Sequence, residues 1–263
     1  MRIVVLVLAV LTTSSVASAD ETKLVTNRRL AHAAAIAVGG VAYLTIQFGL
    51  SDKLAPDGCT WCNPPGFDES IRNALVWDDP KRANTFADIT GYYSAPVFAI
   101  GGLAIASGKL DLGHWADDAF PVLESAIAVS LLHHAGKFSL NRERPAHHFG
   151  GIEVEPAKDQ QYSFWSGHSS LAFAIAVSAG TVAHYRHYSA EPYIWAGGLA
   201  LAAATGYLRI AADAHYFSDV VIGAVIGSAV GYAVPRLLHR DALASERATI
   251  VPTGNGIAFS GTF

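Results

Sequence analysis

The stretch R-I-A-A-D-A-H-Y-F-S-D, residues 209–219, lies between two long apolar segments, and the reading of the whole chain turns on it. Arg209, His215 and Asp219 fall at i, i+6 and i+10. Ionisable side chains beside hydrophobic helices need partners, and core packing alone does not explain them. If a helical turn continues from His215, Asp219 shares its face four residues on. The carboxylate can then fix one ring nitrogen and leave the other as a nucleophile. Asp219 could instead cap the following helix. Asp213 competes for the imidazole, although a separation of two suits a helix badly.

Working outward, six apolar segments, 31–51, 89–108, 119–136, 169–185, 193–208 and 220–235, are rich in alanine and leucine with few internal turn signals, and predict helices. Their lengths lie at or just below the roughly 20 residues that cross a bilayer, so they predict membrane spans or the inner helices of a soluble bundle. Gly223, Gly227 and Gly231 recur every four residues, a spacing that lets a second helix come close. With 263 residues, 51% hydrophobic and 15% charged, the chain suffices for one large helical domain. A net charge of -4 gives no global basic field, which argues against nucleic acid as a partner.

Arg2, the apolar run 3–11 and Ala17-Ser18-Ala19 read as a secretory signal peptide, residues 1–19, cleaved after Ala19; the other reading is a first membrane anchor. A helical domain over 20–240 follows, then a tail, 241–263. In the tail Asn255-Gly256, between 249–252 and 257–263, predicts a small β-hairpin. Arg28-Arg29, Arg186, Arg236 and Arg240 fit one inner side of a membrane if all six helices cross. A cleaved signal delivers Asp20 to the outer side and inverts that count. Cys59 and Cys62, in C-T-W-C, make a local disulfide or a thiol pair, and supply only half of a four-thiolate zinc site.

Two more polar clusters stand at the ends of apolar segments. In K-F-S-L-N-R-E-R-P, residues 137–145, Lys137 and Arg144 are seven apart and would project from nearly one helix face, with Asn141 between them, as an oxyanion clamp. Pro145 disfavours helix through Arg144. In S-F-W-S-G-H-S-S, residues 163–170, Ser166 and Gly167 look like a helix N-terminus whose free amides attract anions, with His168 on the first turn.

In chain order the sequence holds Lys137-x6-Arg144-Pro145, Ser166-Gly167-His168 and Arg209-x5-His215-x3-Asp219. Together these resemble the superfamily of type 2 phosphatidic acid phosphatases and vanadium-dependent haloperoxidases, whose pattern is K-x6-R-P, P-S-G-H and S-R-x5-H-x3-D. Trp165 and Leu208 stand where proline and serine are usual. The resemblance implies an all-α, six-helix bundle, to which the hairpin would be appended. It also implies hydrolysis of phosphate monoesters or diphosphates through a phosphohistidine, without metal or other cofactor. Lys137, Arg144, Ser166, Gly167 and Arg209 would bind phosphate; His215 would attack, Asp219 orient it, and His168 serve as acid and base. The expected partner is a phosphorylated lipid or small phosphate ester, at a periplasm-facing site in the inner membrane or in a soluble periplasmic protein. The oligomeric state stays open. Two rival readings are a vanadate-loaded haloperoxidase and a noncatalytic phospholipid-binding membrane protein.

Overall fold

The computed structural model describes residues 21–54, 58–109, 111–244, 249–253 and 256–260; the signal segment 1–19 lies outside the described residues. All six apolar segments lie on helices. Helix α1 (Glu21–Leu44) continues as a π-helical turn, Thr45–Leu50. Helix α2 (Gly66–Leu75) follows, then α3 (Pro80–Asp88), which runs through a second π-helical turn, Ile89–Ser94, into α4 (Ala95–Ser107). The rest of the helical body is α5 (Leu112–Ser139), α6 (Gly167–Tyr185), α7 (Glu191–Ala211) and α8 (Phe217–Leu238). In the tail, Thr249–Thr253 and Gly256–Ser260 pair antiparallel.

Local chemistry sets several boundaries. Asp79 accepts a hydrogen bond from the Arg82 amide ahead of Pro80, and Asp111 does the same for the His114 amide at the start of α5. Gly108, at φ 60°, closes α4 in the left-handed conformation. Helix α5 stops at Ser139, and Arg144 is extended, at φ -72° and ψ 151°. Lys137 and Arg144 therefore do not share a helix face as expected, because Pro145 excludes its predecessor from the helical region. Asn141 turns away and donates to the Gly58 carbonyl at 2.9 Å.

Helix α6 is the axis of the bundle. Its small residues Ala172, Ala174, Ala176, Ala179 and Ala183 are buried, and Ile175 and Val182 pack with Ala99 and Leu103 of α4, Val122 of α5 and Ile194 of α7. A Cβ on Gly223 of α8 would stand 2.7 Å from the Ser166 carbonyl oxygen, and Cβ atoms on Gly227 and Gly231 would collide with the Ser170 and Ala174 carbonyls. The four-residue glycine spacing thus lets α8 lie against the bare backbone of α6.

Contacts along α1 and α5 show that they run parallel: Arg29 meets Asp117 at one end, and Gln47 meets His134 towards the other. Arg186, just past α6, reaches back to Asp118 near the start of α5 at 2.7 Å, so α6 runs the opposite way. As a result α5 ends, α6 begins, α7 ends and α8 begins at one end of the bundle. The three polar clusters converge there, and Arg28, Arg29, Arg186, Arg236 and Arg240 lie towards the other end.

Large apolar side chains face outward, among them Val41, Phe48, Val97, Ile105 and Val225, each more than half exposed. Four stretches are long and apolar enough to cross a membrane: Leu24–Leu50, Pro80–Ser107, Glu191–Ala211 and Phe217–Leu238.

Candidate active site

His215 sits in the turn between α7 and α8, just before the Tyr216 N-cap, and so precedes the helix. Its Nδ1 is 2.6 Å from the Ser163 carbonyl oxygen, and its Nε2 is 3.1 Å from Arg144 Nη1. Asp219 Oδ2 stands 3.9 Å from Nδ1, outside hydrogen-bond range. The carboxylate acts one step back: Oδ2 accepts from Ser163 Oγ at 2.6 Å and from the Tyr216 amide at 2.9 Å. Asp219 is therefore both the helix cap and the anchor of the residue whose carbonyl holds the imidazole. A carbonyl can only accept, so Nδ1 bears the proton and Nε2 keeps its lone pair. Asp213 is engaged elsewhere, in a paired contact with Arg72 at 2.6 and 2.5 Å.

Arg144 is held by the carbonyls of Asp159 and Ala214, at 2.8 and 2.7 Å. Lys137 Nζ is 2.8 Å from Asp159 Oδ1, and Arg209 donates to Asn84 and Glu155. Lys137 and Arg209 thus each meet a carboxylate from the loop 150–162, whereas Arg144 has backbone carbonyls and the His215 imidazole for partners. The sequence reading did not single out Glu155 or Asp159; loop acids carry no periodic signal.

On the opposite wall, Ser166 caps α6, its Oγ accepting from the Ser169 amide at 3.3 Å. Gly167 lies under the His133 ring, where a Cβ would come within 2.9 Å of Cε1. His168 points at α3: Nε2 is 2.7 Å from Asp88 Oδ1, and the Tyr92 ring lies 4.4 Å away. Asn84 and Asp88, one turn apart on α3, were not expected here. Trp165, in place of the usual proline, is buried on Gly136 of α5 with its ring where a Cβ would be.

Behind this surface lies a second, buried network. Arg142, 1% exposed, donates to Asp219 Oδ1 at 2.5 Å, to Ser218 Oγ at 2.7 Å and to Asp68 Oδ2 at 2.7 Å. Its guanidinium is stacked between the rings of Trp61 and Tyr216, at 4.0 and 4.1 Å. Trp61 belongs to the loop closed by the Cys59–Cys62 disulfide, whose Thr60 and Trp61 amides donate to the Asn141 carbonyl. The disulfide loop thereby presses Arg142 onto Asp219.

Electrostatics suit a neutral nucleophile. Burial first, then Arg144 and Arg209, hold His215 well below the usual histidine range. Burial pushes Glu155 up, but Arg209 and Arg144 outweigh it and keep the carboxylate low, hence charged. Burial, followed by Arg209, lowers His168 to about 4 against the pull of Asp88. An unfolded histidine titrates at about 6.5, so between that pH and about 4 the unfolded chain binds a proton that folded His168 refuses. The stability is whole above that window and is lost as pH falls through it, by about 3 kcal/mol for this residue. Thermal unfolding in detergent between pH 7.5 and 4.5 should show a shallower fall in Tm for His168→Gln than for the parent. Equal slopes would contradict the assignment.

Residues 118–242 match the family model of the PAP2 superfamily. The lipid A 1-phosphatase of Porphyromonas gingivalis is 36% identical over 110 residues, which make up 41% of this chain and 21% of that protein. The match therefore spans about a fifth of the curated relative's length.

Proposed function

Because the chain carries a PAP2 superfamily domain distantly related to lipid A 1-phosphatase, we propose that it is an exported, membrane-embedded phosphatase that hydrolyses lipid phosphate esters through a phosphohistidine on His215. The observation that carries this reading is the Ser163 carbonyl on His215 Nδ1, which leaves Nε2 with a lone pair facing the cation cluster. Nε2 attacks phosphorus and the bond to the leaving oxygen breaks. As the substrate enters, its negative charge favours the imidazolium of His168, protonated by the ester itself or by solvent; the Nε2 proton, held by Asp88 until the leaving oxygen takes its place, then passes to that oxygen. His168 then takes a proton from water, whose oxygen attacks phosphorus, and the phosphorus–nitrogen bond breaks to return His215 neutral. Lys137, Arg144 and Arg209 gather the nonbridging oxygens, joined by the Gly167 and His168 amides. Ser166 Oγ already accepts from the Ser169 amide and can donate its own proton to the phosphate.

The four apolar stretches and the outward apolar side chains support a lipid substrate and membrane embedding, and the relative's name points the same way. The basic residues at the far end favour that end as the inner side, with the phosphate site facing the periplasm. Because α1 starts from the far end, this orientation calls for residues 1–19 to stay attached. Amino-terminal sequencing of the membrane protein should then read Met1 or Arg2; a start at Asp20 would contradict the orientation.

Phosphate release from a lipid phosphate in mixed micelles, compared with a soluble aryl phosphate, tests the substrate class. The lipid should be turned over with the higher kcat/KM. Preference for the aryl ester would overturn the lipid reading, and release from neither would overturn the phosphatase.

Glu155 occupies Arg209 in the substrate-free protein, and an entering phosphate must displace it. Glu155→Gln removes that competing charge, so inorganic phosphate should inhibit about three- to tenfold more tightly. An unchanged or weaker inhibition constant would show that Glu155 does not compete with phosphate.

A further inference from the structure

A second cluster of ligating side chains lies at the opposite end of the bundle. His32 Nδ1 of α1 is 2.8 Å from Glu124 Oε1 of α5, and His239 Nε2, just past α8, is 2.7 Å from the other oxygen, Oε2. The two imidazole rings lie 4.2 Å apart, and three ligand atoms, one from each residue, fall within 4.8 Å of one another. His239 is 2% exposed, and the side chains of Glu124 and His32 are 10% and 19% exposed. From Asp219 to His239 is twenty residues along α8, about 30 Å of helix. The cluster therefore belongs to no step proposed for the phosphate site.

We propose that His32, Glu124 and His239 form a structural zinc site that ties α1 to the bundle. Two imidazoles and one carboxylate are the protein ligands of zinc sites that keep a fourth position for water; the structural role rests instead on the cluster's burial and on its joining α1, α5 and the end of α8. Tetrahedral bonds of ordinary length put ligand atoms about 3.3 Å apart. An ion bound to one Glu124 oxygen would widen that oxygen's imidazole contact by about half an ångström and draw the other imidazole across from the second oxygen. Two neutral imidazoles and a carboxylate bring one negative charge, so the ion would relieve the burial of Glu124 rather than add to it. Helix α1 has the most to gain. It faces outward along most of its length, and beside this cluster its attachment includes the Arg29–Asp117 pair.

The test uses the full chain in detergent, stripped with a chelator and titrated with zinc against a chromophoric competitor. One equivalent should bind per chain, and zinc should raise Tm by several degrees. Cobalt in place of zinc should give the intense visible absorption of a tetrahedral site. Binding should vanish in the His32→Ala/His239→Ala double variant and weaken about ten- to a hundredfold in Glu124→Gln. It should persist in His184→Ala/His187→Ala, which removes a more exposed histidine pair. Turnover below Tm should survive removal of the zinc. A parent chain that takes up no zinc, a double variant that keeps it, or a weak octahedral cobalt spectrum would overturn the proposal. Loss of turnover on stripping, with the fold intact, would overturn its structural role.

Discussion

His215→Ala is expected to lower phosphate release by at least about 10³-fold, on lipid and soluble substrates alike, with Tm changed little. No neighbouring side chain can take over the attack. His168 is turned towards Asp88, and His133 lies on the far side of Gly167 with Nε2 on the Trp165 carbonyl. Loss of a nucleophile removes the covalent route entirely, and what remains is the contribution of binding and charge. Stability should hold because the imidazole's partners are a backbone carbonyl and a guanidinium that keeps its other acceptors, the Ala214 and Asp159 carbonyls. Initial rates and thermal unfolding of the same preparation check both halves. A loss under tenfold would mean that His215 is not the nucleophile.

The largest effect on stability is expected at Arg142, away from the reacting atoms. Arg142→Met keeps an apolar chain of similar reach but removes the guanidinium stacked on Trp61 and Tyr216 and takes their cation from the carboxylates of Asp68 and Asp219, both fully buried. Breaking a buried ion network from one side costs about 3 to 5 kcal/mol, because the remaining charges stay desolvated. Activity should fall as well, since Asp219 steadies Ser163, and Ser163 holds the imidazole. Adding Asp68→Asn should recover part of the stability, because one stranded charge is removed. Denaturant unfolding of the two variants beside the parent measures this. A cost below about 1 kcal/mol for Arg142→Met would place Arg142 outside the stabilising framework.

Both effects bear on what a sequence can reveal. The six apolar segments were legible because helix periodicity and length are local properties, and the glycines of α8 announced a close crossing by spacing alone. The site's cations and histidines were legible because their spacing recurs in a superfamily. The supports behind them were not. Arg142 stands between Lys137 and Arg144 in the sequence, yet nothing local says that it is stacked between two rings and shared by Asp68 and Asp219. Asn84, Asp88, Glu155 and Asp159 reach the site only through tertiary folding of α3 and of a turn-rich loop. The expectation of a direct Asp219–His215 bond failed for a physical reason: α8 begins at Phe217, so helical i, i+4 geometry does not apply to His215.

The proposed mechanism requires phosphate to pass through His215. The most direct measurement is to mix His168→Ala with a phosphate-labelled aryl ester, whose leaving group needs no acid, and to quench in alkali. The first step should proceed and the second stall, leaving label on the His215 peptide that survives alkali and is lost in acid. Label on another residue, or none at any time while the leaving group is released, would contradict it.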